Sequence, residues 1–204
     1  MLASDMSVAS FWDARAKEMG HTPSAVGNSE WSHSRRMALV RRLLGVPSRL
    51  SVVDIGSGVG MLDKYVGPFR SYLGVDWSIE ALAISSQNAV TQDHHTLQWD
   101  LSRGLPDIGS FDVALAIGVT PCGWLFSSPD AVVAFMRGML RLAPRGVINV
   151  MWDRVESPDE PARFSIDDIL MAAKARGVHG VLHFGDLPHE FMIDFVAPTR
   201  AWDK

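Results

Sequence analysis

At 204 residues, with 47% hydrophobic and 21% charged side chains, the chain has the size of one domain and the apolar content to close a full core. Nineteen basic against twenty-three acidic side chains give a net charge of -4, which weighs against a surface built to wrap nucleic acid. One cysteine, Cys122, excludes an internal disulfide and a multi-thiolate zinc site, and the histidine pairs His94-His95 and His179/His183 lack a ligand geometry, so no metal site is expected.

The first ten residues lack a basic start and an apolar core, and no window approaches ~18 uninterrupted apolar residues, so a cytoplasmic chain with no membrane partner is expected. Two helices are predicted first, Phe11 to Met19 and Trp31 to Leu44, separated by Gly20-His21-Thr22-Pro23-Ser24-Ala25-Val26-Gly27-Asn28. On a helical wheel Met37, Leu39, Val40, Leu43 and Leu44 share one broad face of the second helix, and Arg35, Arg41 and Arg42 fall outside it. Arg36 falls inside, where an arginine snorkels by default.

From residue 50 onward, apolar runs of strand length alternate with amphipathic stretches of helix length, the rhythm of a parallel sheet covered by helices. Leu50 to Ile55 is the first strand, and a glycine cluster separates it from a helix over Met61 to Tyr65. Tyr72 to Asp76 is the second strand, followed by a helix to Asn88 with Ser78 as its N-cap and Glu80 in its first turn. His95 to Trp99 is a short third strand. Phe111 to Ile117, almost wholly apolar beyond Asp112, reads as a central strand buried on both faces. A loop from Gly118 to Pro129 leads to a helix over Asp130 to Leu142 and a buried strand over Val147 to Trp152.

A polar, proline-bearing connection (153–163) precedes a helix from Ile166 to Arg176, capped by Ser165 and stopped by Gly177. Six residues separate the strands Val178 to Phe184 and Phe191 to Val196. So short a link joins antiparallel neighbours, because a parallel pair needs a crossover of about a dozen residues. The expected fold is α/β, a doubly wound, mostly parallel seven-stranded sheet with a terminal antiparallel hairpin.

Asp54-Ile55-Gly56-Ser57-Gly58-Val59-Gly60 joins the first strand to its helix. Glycines there permit positive φ and a close ligand approach, at the strand end where open α/β sheets bind nucleotide-type ligands. A tight turn without a ligand is the bland alternative, but three alternate glycines exceed its needs. Two cofactor classes compete. A dinucleotide fingerprint wants a small third residue, and counting from Gly56 and Gly58 that position is Met61. Asp54 would repel a pyrophosphate, whereas beside an ammonium or sulfonium it is favourable. Asp76 suits a ribose-hydroxyl acceptor in either class.

With Gly74-Val75-Asp76-Trp77-Ser78, Gln98-Trp99-Asp100-Leu101 and Phe111-Asp112-Val113-Ala114 following in order, residues 31–198 resemble the class I (Rossmann-like) S-adenosylmethionine (SAM)-dependent methyltransferases of the small-molecule type. The resemblance implies that Asp54, Gly56, Ser57, Gly58 and Gly60 lie under the methionine part of SAM and that Asp76 holds its ribose. It implies that Asp100, with Leu101, accepts from the adenine amino group, that Trp77 packs on the adenine, and that Ile117 and Gly118 line the floor. By the same resemblance Arg36 holds the cofactor carboxylate, which an arginine fork suits bidentately. The bland alternatives are Asp100 as cap of the turn from Leu101 to Gly104 and Trp77 as a packing aromatic.

The opening Phe11-Trp12-Asp13-Ala14-Arg15-Ala16 also resembles the N-terminal cover of small-molecule members. Residues 1–204 are accordingly one methyltransferase domain, with 1–33 as a lid on the acceptor side, including Trp12 in the acceptor pocket, and 34–204 as the core. The alternative is an amphipathic helix that caps an exposed sheet face.

Methyl transfer is an in-line displacement that asks mainly for alignment, and a base only where the acceptor must lose a proton early. His21, Glu30 and His33 are the candidate bases, although with seven histidines any one is as readily a surface or packing residue. Trp124 and Phe126 are candidates for an aromatic acceptor pocket, or simply anchor their loop. Pro121-Cys122 resembles the nucleophile dipeptide of pyrimidine C5-methyltransferases, but no basic recognition domain accompanies it, and a small packed residue is the bland alternative. The sequence thus points to a SAM-dependent methyltransferase for a small organic acceptor. The alternatives are a nucleic-acid or protein methyltransferase, including a C5 type using Cys122, and a non-catalytic module of the same fold. Neither the methylated atom nor the oligomeric state is written in the sequence.

Overall fold

The computed structural model describes residues 8–119, 125–151, 165–187 and 190–196. Its elements run α1 (Val8–Met19), α2 (Glu30–Leu44), β1 (Ser51–Ile55), α3 (Met61–Val66), β2 (Ser71–Asp76), α4 (Ile79–Gln87) and β3 (His94–Gln98), then β4 (Val113–Ala116), α5 (Pro129–Leu142), β5 (Arg145–Met151), α6 (Ile166–Ala175), β6 (His179–Phe184) and β7 (Glu190–Val196). The helices α2, α4, α5 and α6 begin where serines dictate. The side chains of Ser29, Ser78, Ser128 and Ser165 accept from the N–H three residues on, satisfying a donor that the first helical turn leaves free.

The seven strands form one sheet in the order β3-β2-β1-β4-β5-β7-β6. All neighbours from β3 to β5 are parallel, and β7 runs antiparallel to both β5 and β6. The expected hairpin is therefore present. The expected Val147 to Trp152 strand starts two residues earlier. Arg145 pairs with Val113 on one side, and on the other its guanidinium takes the Asp194 carboxylate of β7 in two bonds of 2.8 and 2.7 Å. Trp152 and the 153–163 connection lie outside the described residues.

Side chains alternate across β1. Val53 and Ile55 face a core with α5 and α6, where Val132, Met136, Met139 and Ile169 are buried. Val52 faces the opposite core, with Met37, Val40 and Leu44 of α2, Leu62 and Val66 of α3, and Tyr72. A smaller cluster joins α1, α3 and α4 through Ala16, Val59, Met61 and Ala81. Because β1 lies between β2 and β4, the strand order reverses there, and the crevice outside its carboxyl end is where this architecture leaves room for a ligand.

Candidate functional site

That crevice holds a cavity that is partly open to solvent. Its floor comes from Asp54, Gly56, Ser57 and Gly58 after β1 and from Ile117 and Gly118 after β4. Asp76, Trp77 and Leu101 form one end. Trp12 of α1 and His33 and Arg36 of α2 also line the cavity.

The glycine loop is shaped by what surrounds it. Gly58 has φ +52, and a Cβ there would meet Val26 at 2.5 Å, so only glycine lets the segment before α2 lie against the loop. Its N–H donates to Asp76 Oδ2 at 2.8 Å, while Asp76 Oδ1 accepts from Ser78 N–H at 2.9 Å. Burial pushes the Asp76 carboxyl above its ordinary value, against the pull of the Ser78, Gly58 and Trp77 amides. Gly60 does not line the cavity. A Cβ there would clash with Ser85 of α4, so the third glycine serves helix packing.

Asp54 is 3% exposed and accepts from the Tyr72 hydroxyl at 2.7 Å. Burial raises its pKa to about 7, the Tyr72 bond opposes the rise, and the neighbouring acids Asp76 and Asp63 add to it. Such a carboxylate is a poor neighbour for an anion and a good one for a cation. The loop amide of Gly58, spent on Asp76, is likewise not directed at a phosphate.

His33 is 3% exposed, and neither ring nitrogen has a hydrogen-bond partner among the described residues. Its ring lies edge-on to Tyr65, with centroids 5.1 Å apart. Burial, followed by the Arg36 charge, brings its pKa down to about 4, so the imidazole is neutral near pH 7. Ser57 Oγ is also buried without a hydrogen-bond partner among the described residues. Two orphaned polar groups in one cavity wall are costly unless a ligand or water satisfies them.

Several of the expected site residues lie outside the cavity lining or are engaged elsewhere. His21 and Glu30 do not line the cavity: His21 lies on the link from α1 to α2, where its carbonyl accepts from Lys64 Nζ at 3.3 Å, and the exposed Glu30 carboxylate is taken by the Tyr65 hydroxyl. Arg36 does not snorkel. It is buried, and its Nε and Nη2 donate to the two Glu190 oxygens at 2.9 and 2.7 Å, with Nη1 on Asn28 Oδ1 at 2.8 Å. Its fork holds a protein carboxylate, Glu190, and its side chain lines the cavity. Asp100 caps its turn through Ser102 N–H at 2.9 Å and is not among the lining residues, although Leu101 is. Phe126 leaves the pocket for the core, 1% exposed and edge-on to Phe135 at 5.1 Å. Trp124 and Cys122 lie outside the described residues.

Glu190 and Tyr72 were not foreseen as site residues. Arg36 was itself the signal for the first, since an arginine on a buried stripe demands a buried acid. Asn149 extends that pair toward the floor: its Oδ1 accepts from Gly118 N–H, and its Nδ2 lies 3.5 Å from Glu190 Oε2. At the opposite wall, α1 is tied to the start of α4. Ser78 Oγ donates to Asp13 Oδ1 at 2.5 Å, and Lys17 pairs with Glu80 at 3.0 Å. Among the described residues no helix is long and apolar enough to cross a membrane, and no group of three or more His, Cys, Asp or Glu is placed to hold a metal ion.

No protein-family model and no curated protein matches the sequence. Solved structures do match. The chain is similar to magnesium protoporphyrin IX methyltransferase (ChlM) from Synechocystis PCC 6803 with bound SAH, with a TM-score of 0.71, 15% identity, and coverage of 93% of this chain and 97% of the other. It is also similar to DhpI in complex with SAH, with a TM-score of 0.70, 17% identity and coverage of 94% and 96%. A third similar structure is the TehB-like SAM-dependent methyltransferase from Corynebacterium glutamicum, with a TM-score of 0.58, 17% identity and coverage of 93% and 97%. In each case the likeness runs over nearly the whole of both chains.

Proposed function

We propose that this chain, which has the class I Rossmann-like methyltransferase fold, transfers the methyl group of SAM to a small organic acceptor. The observation that carries the proposal is the pair of carboxylates, Asp54 and Asp76, at the two flanks of one glycine loop in one cavity. In this reading Asp54 takes the cationic methionine end and Asp76 the ribose hydroxyls, beside the bonds Asp76 accepts from the Gly58, Ser78 and Trp77 amides. Leu101 and Trp77 then bound the adenine, and Ser57 Oγ and His33 offer polar contacts still to be satisfied. SAM supplies an electrophilic methyl on a sulfonium, and the protein supplies alignment and exclusion of water.

The N-terminal segment is the lid of this reading. Trp12 and Ala16 cover the cavity, and the Asp13–Ser78 and Lys17–Glu80 contacts hold α1 across it. With a pKa near 4, His33 is too weak a base to take a proton near pH 7 and acts as a hydrogen-bonding group. His21 and Glu30 stand outside the cavity. The acceptor of this reading is a small organic nucleophile. The named acceptor of the Synechocystis neighbour, a magnesium porphyrin, is a small organic molecule and supports that class.

The test is release of S-adenosylhomocysteine (SAH) from methyl-labelled SAM across a panel of small carboxylates, phenolates, thiols and amines. Turnover with at least one of them, abolished in Asp76→Ala, supports the proposal. SAH binding without turnover on any small acceptor would leave the non-catalytic module. Turnover only with an oligonucleotide or polypeptide would leave the macromolecular alternative.

A further inference from the structure

Tyr72 is fully buried beneath the glycine loop, and its hydroxyl donates to Asp54 Oδ2 at 2.7 Å. Parallel pairing sets Val52 opposite Tyr72 and Asp54 opposite Gly74, so the phenol reaches diagonally along one sheet face, across a residue that has no side chain to obstruct it. The ring is fixed by two neighbours. Phe69 stacks on it with centroids 5.9 Å apart and planes 18° apart, and His94 lies 4.7 Å away at 30°. His94 is fixed in turn, with Nδ1 at 3.0 Å from Asp63 Oδ2 and Nε2 at 3.2 Å from Ser85 Oγ. Asp63 is held by the N–H groups of Val90 and Thr91 at 2.8 and 3.1 Å. A phenol clamped this way cannot follow the carboxylate, so the carboxylate takes the place that the phenol sets.

We propose that Tyr72 is a positioning residue for the cofactor: its hydroxyl holds Asp54 as an oriented anion whose other oxygen is left for the cationic methionine end of SAM. The proposal rests on the SAM reading of the site. Among the described residues, the other titratable or charged groups near Asp54 do not do this work. Asp76 at the end of β2 and Asp63 on α3 are acids that oppose its ionisation. Arg36 of α2 lines the same cavity but is matched by Glu190, and His33 is neutral near pH 7. Burial drives the Asp54 pKa up to about 7, and the Tyr72 bond is the influence that pulls it down. Removing one hydrogen bond to a charged group raises proton affinity by about tenfold or more.

The experiment is calorimetric titration of SAM into wild type and Tyr72→Phe from pH 6 to pH 9. Phenylalanine keeps the ring and its stacking and deletes only the donor. If SAM needs ionised Asp54, the variant binds about tenfold more weakly near pH 6 and comes within about twofold of wild type at pH 9. Comparison at equal pH cancels the titration of the cofactor's own amine. In an Asp54→Asn background Tyr72→Phe has no pH-dependent effect. A loss that is the same at every pH, or that persists in Asp54→Asn, would assign Tyr72 to packing alone and overturn the proposal, as would no loss at all.

Should Tyr72→Phe not fold, 3-fluorotyrosine in a Tyr65→Phe background leaves Tyr72 as the sole tyrosine, now a stronger donor. The pH profile of binding then moves to lower pH, and an unmoved profile overturns the proposal. A wild type that binds no SAM at any pH would overturn the functional reading and this inference together. A wild type that binds with a profile indifferent to Tyr72 overturns this inference alone.

Discussion

Asp54→Asn separates what the site costs the fold from what it gives the ligand. In the folded chain the Asp54 pKa stands at about 7 against an ordinary 3.8. The folded state therefore holds that proton more tightly than the unfolded chain, and stability falls as pH rises from about 4 to about 7, then levels off. At about 1.36 kcal/mol per tenfold in proton affinity, the ionised carboxylate costs roughly 4 kcal/mol at pH 8 and under about 2 kcal/mol at pH 5. Asparagine keeps the Tyr72 bond through its oxygen but adds an N–H pair that must be solvated at the cavity wall. A net gain of about 2 kcal/mol is expected at pH 8, or a Tm higher by about 4–8 °C for a chain of this size. The gain shrinks toward zero at pH 5. Thermal scans at both pH values, with and without SAH, measure it, and the variant should show little stabilisation by SAH. A variant that melts below wild type at pH 8, or gains equally at both pH values, would refute the reasoning.

Asp76→Ala should weaken SAH binding by at least about a hundredfold, because both ribose hydroxyls lose their acceptor and the Gly58 N–H loses its partner; calorimetry decides, and wild-type affinity would remove the ribose assignment. For His33, a pKa lowered to about 4 means that the unfolded chain takes up a proton first as pH falls below about 6.5, so stability is lost between there and about 4. His33→Leu should flatten that limb of the melting profile and raise stability by about 1–3 kcal/mol where burial of the orphaned nitrogens is relieved. Glu190→Ala should cost about 3–5 kcal/mol in chemical denaturation by stranding the buried Arg36 charge, whereas the double variant Arg36→Met with Glu190→Leu should recover most of it. An equal loss in single and double variants would show that the pair's charges are not what is at stake.

Most of the architecture was legible because its signals are local. Runs such as Val52-Val53 and Val113-Ala114-Leu115-Ala116 announce strands buried on both faces, and Ser78 and Ser165 mark helix starts by a bond three residues away. The link between β6 and β7 was too short for any pairing but an antiparallel one. The floor of the site was legible for the same reason, since Asp54 to Gly58 and Ile117-Gly118 follow directly on strands that could be read.

What escaped depends on contacts between distant positions. Arg36 and Glu190 are 154 residues apart, so the sequence could show the oddity of a buried arginine but not its partner. Tyr72 is an ordinary strand residue until the parallel register brings its hydroxyl to Asp54. Phe126 was placed by its neighbourhood in a loop, but α5 offers Phe135 and an apolar wall, and burying a large aromatic there outweighs lining a partly wet cavity. For Asp100 the cap alternative was visible in the sequence, and its side chain does cap that turn through Ser102 N–H.

The central claim is that this crevice holds an adenosyl sulfonium compound and not a dinucleotide. Parallel calorimetric titrations of wild type with SAH and with NADH, at pH 8 where Asp54 is ionised, test it most directly. The account predicts one site of micromolar affinity for SAH, abolished in Asp76→Ala, and no heat from NADH. Saturable binding of NADH with none of SAH would contradict it.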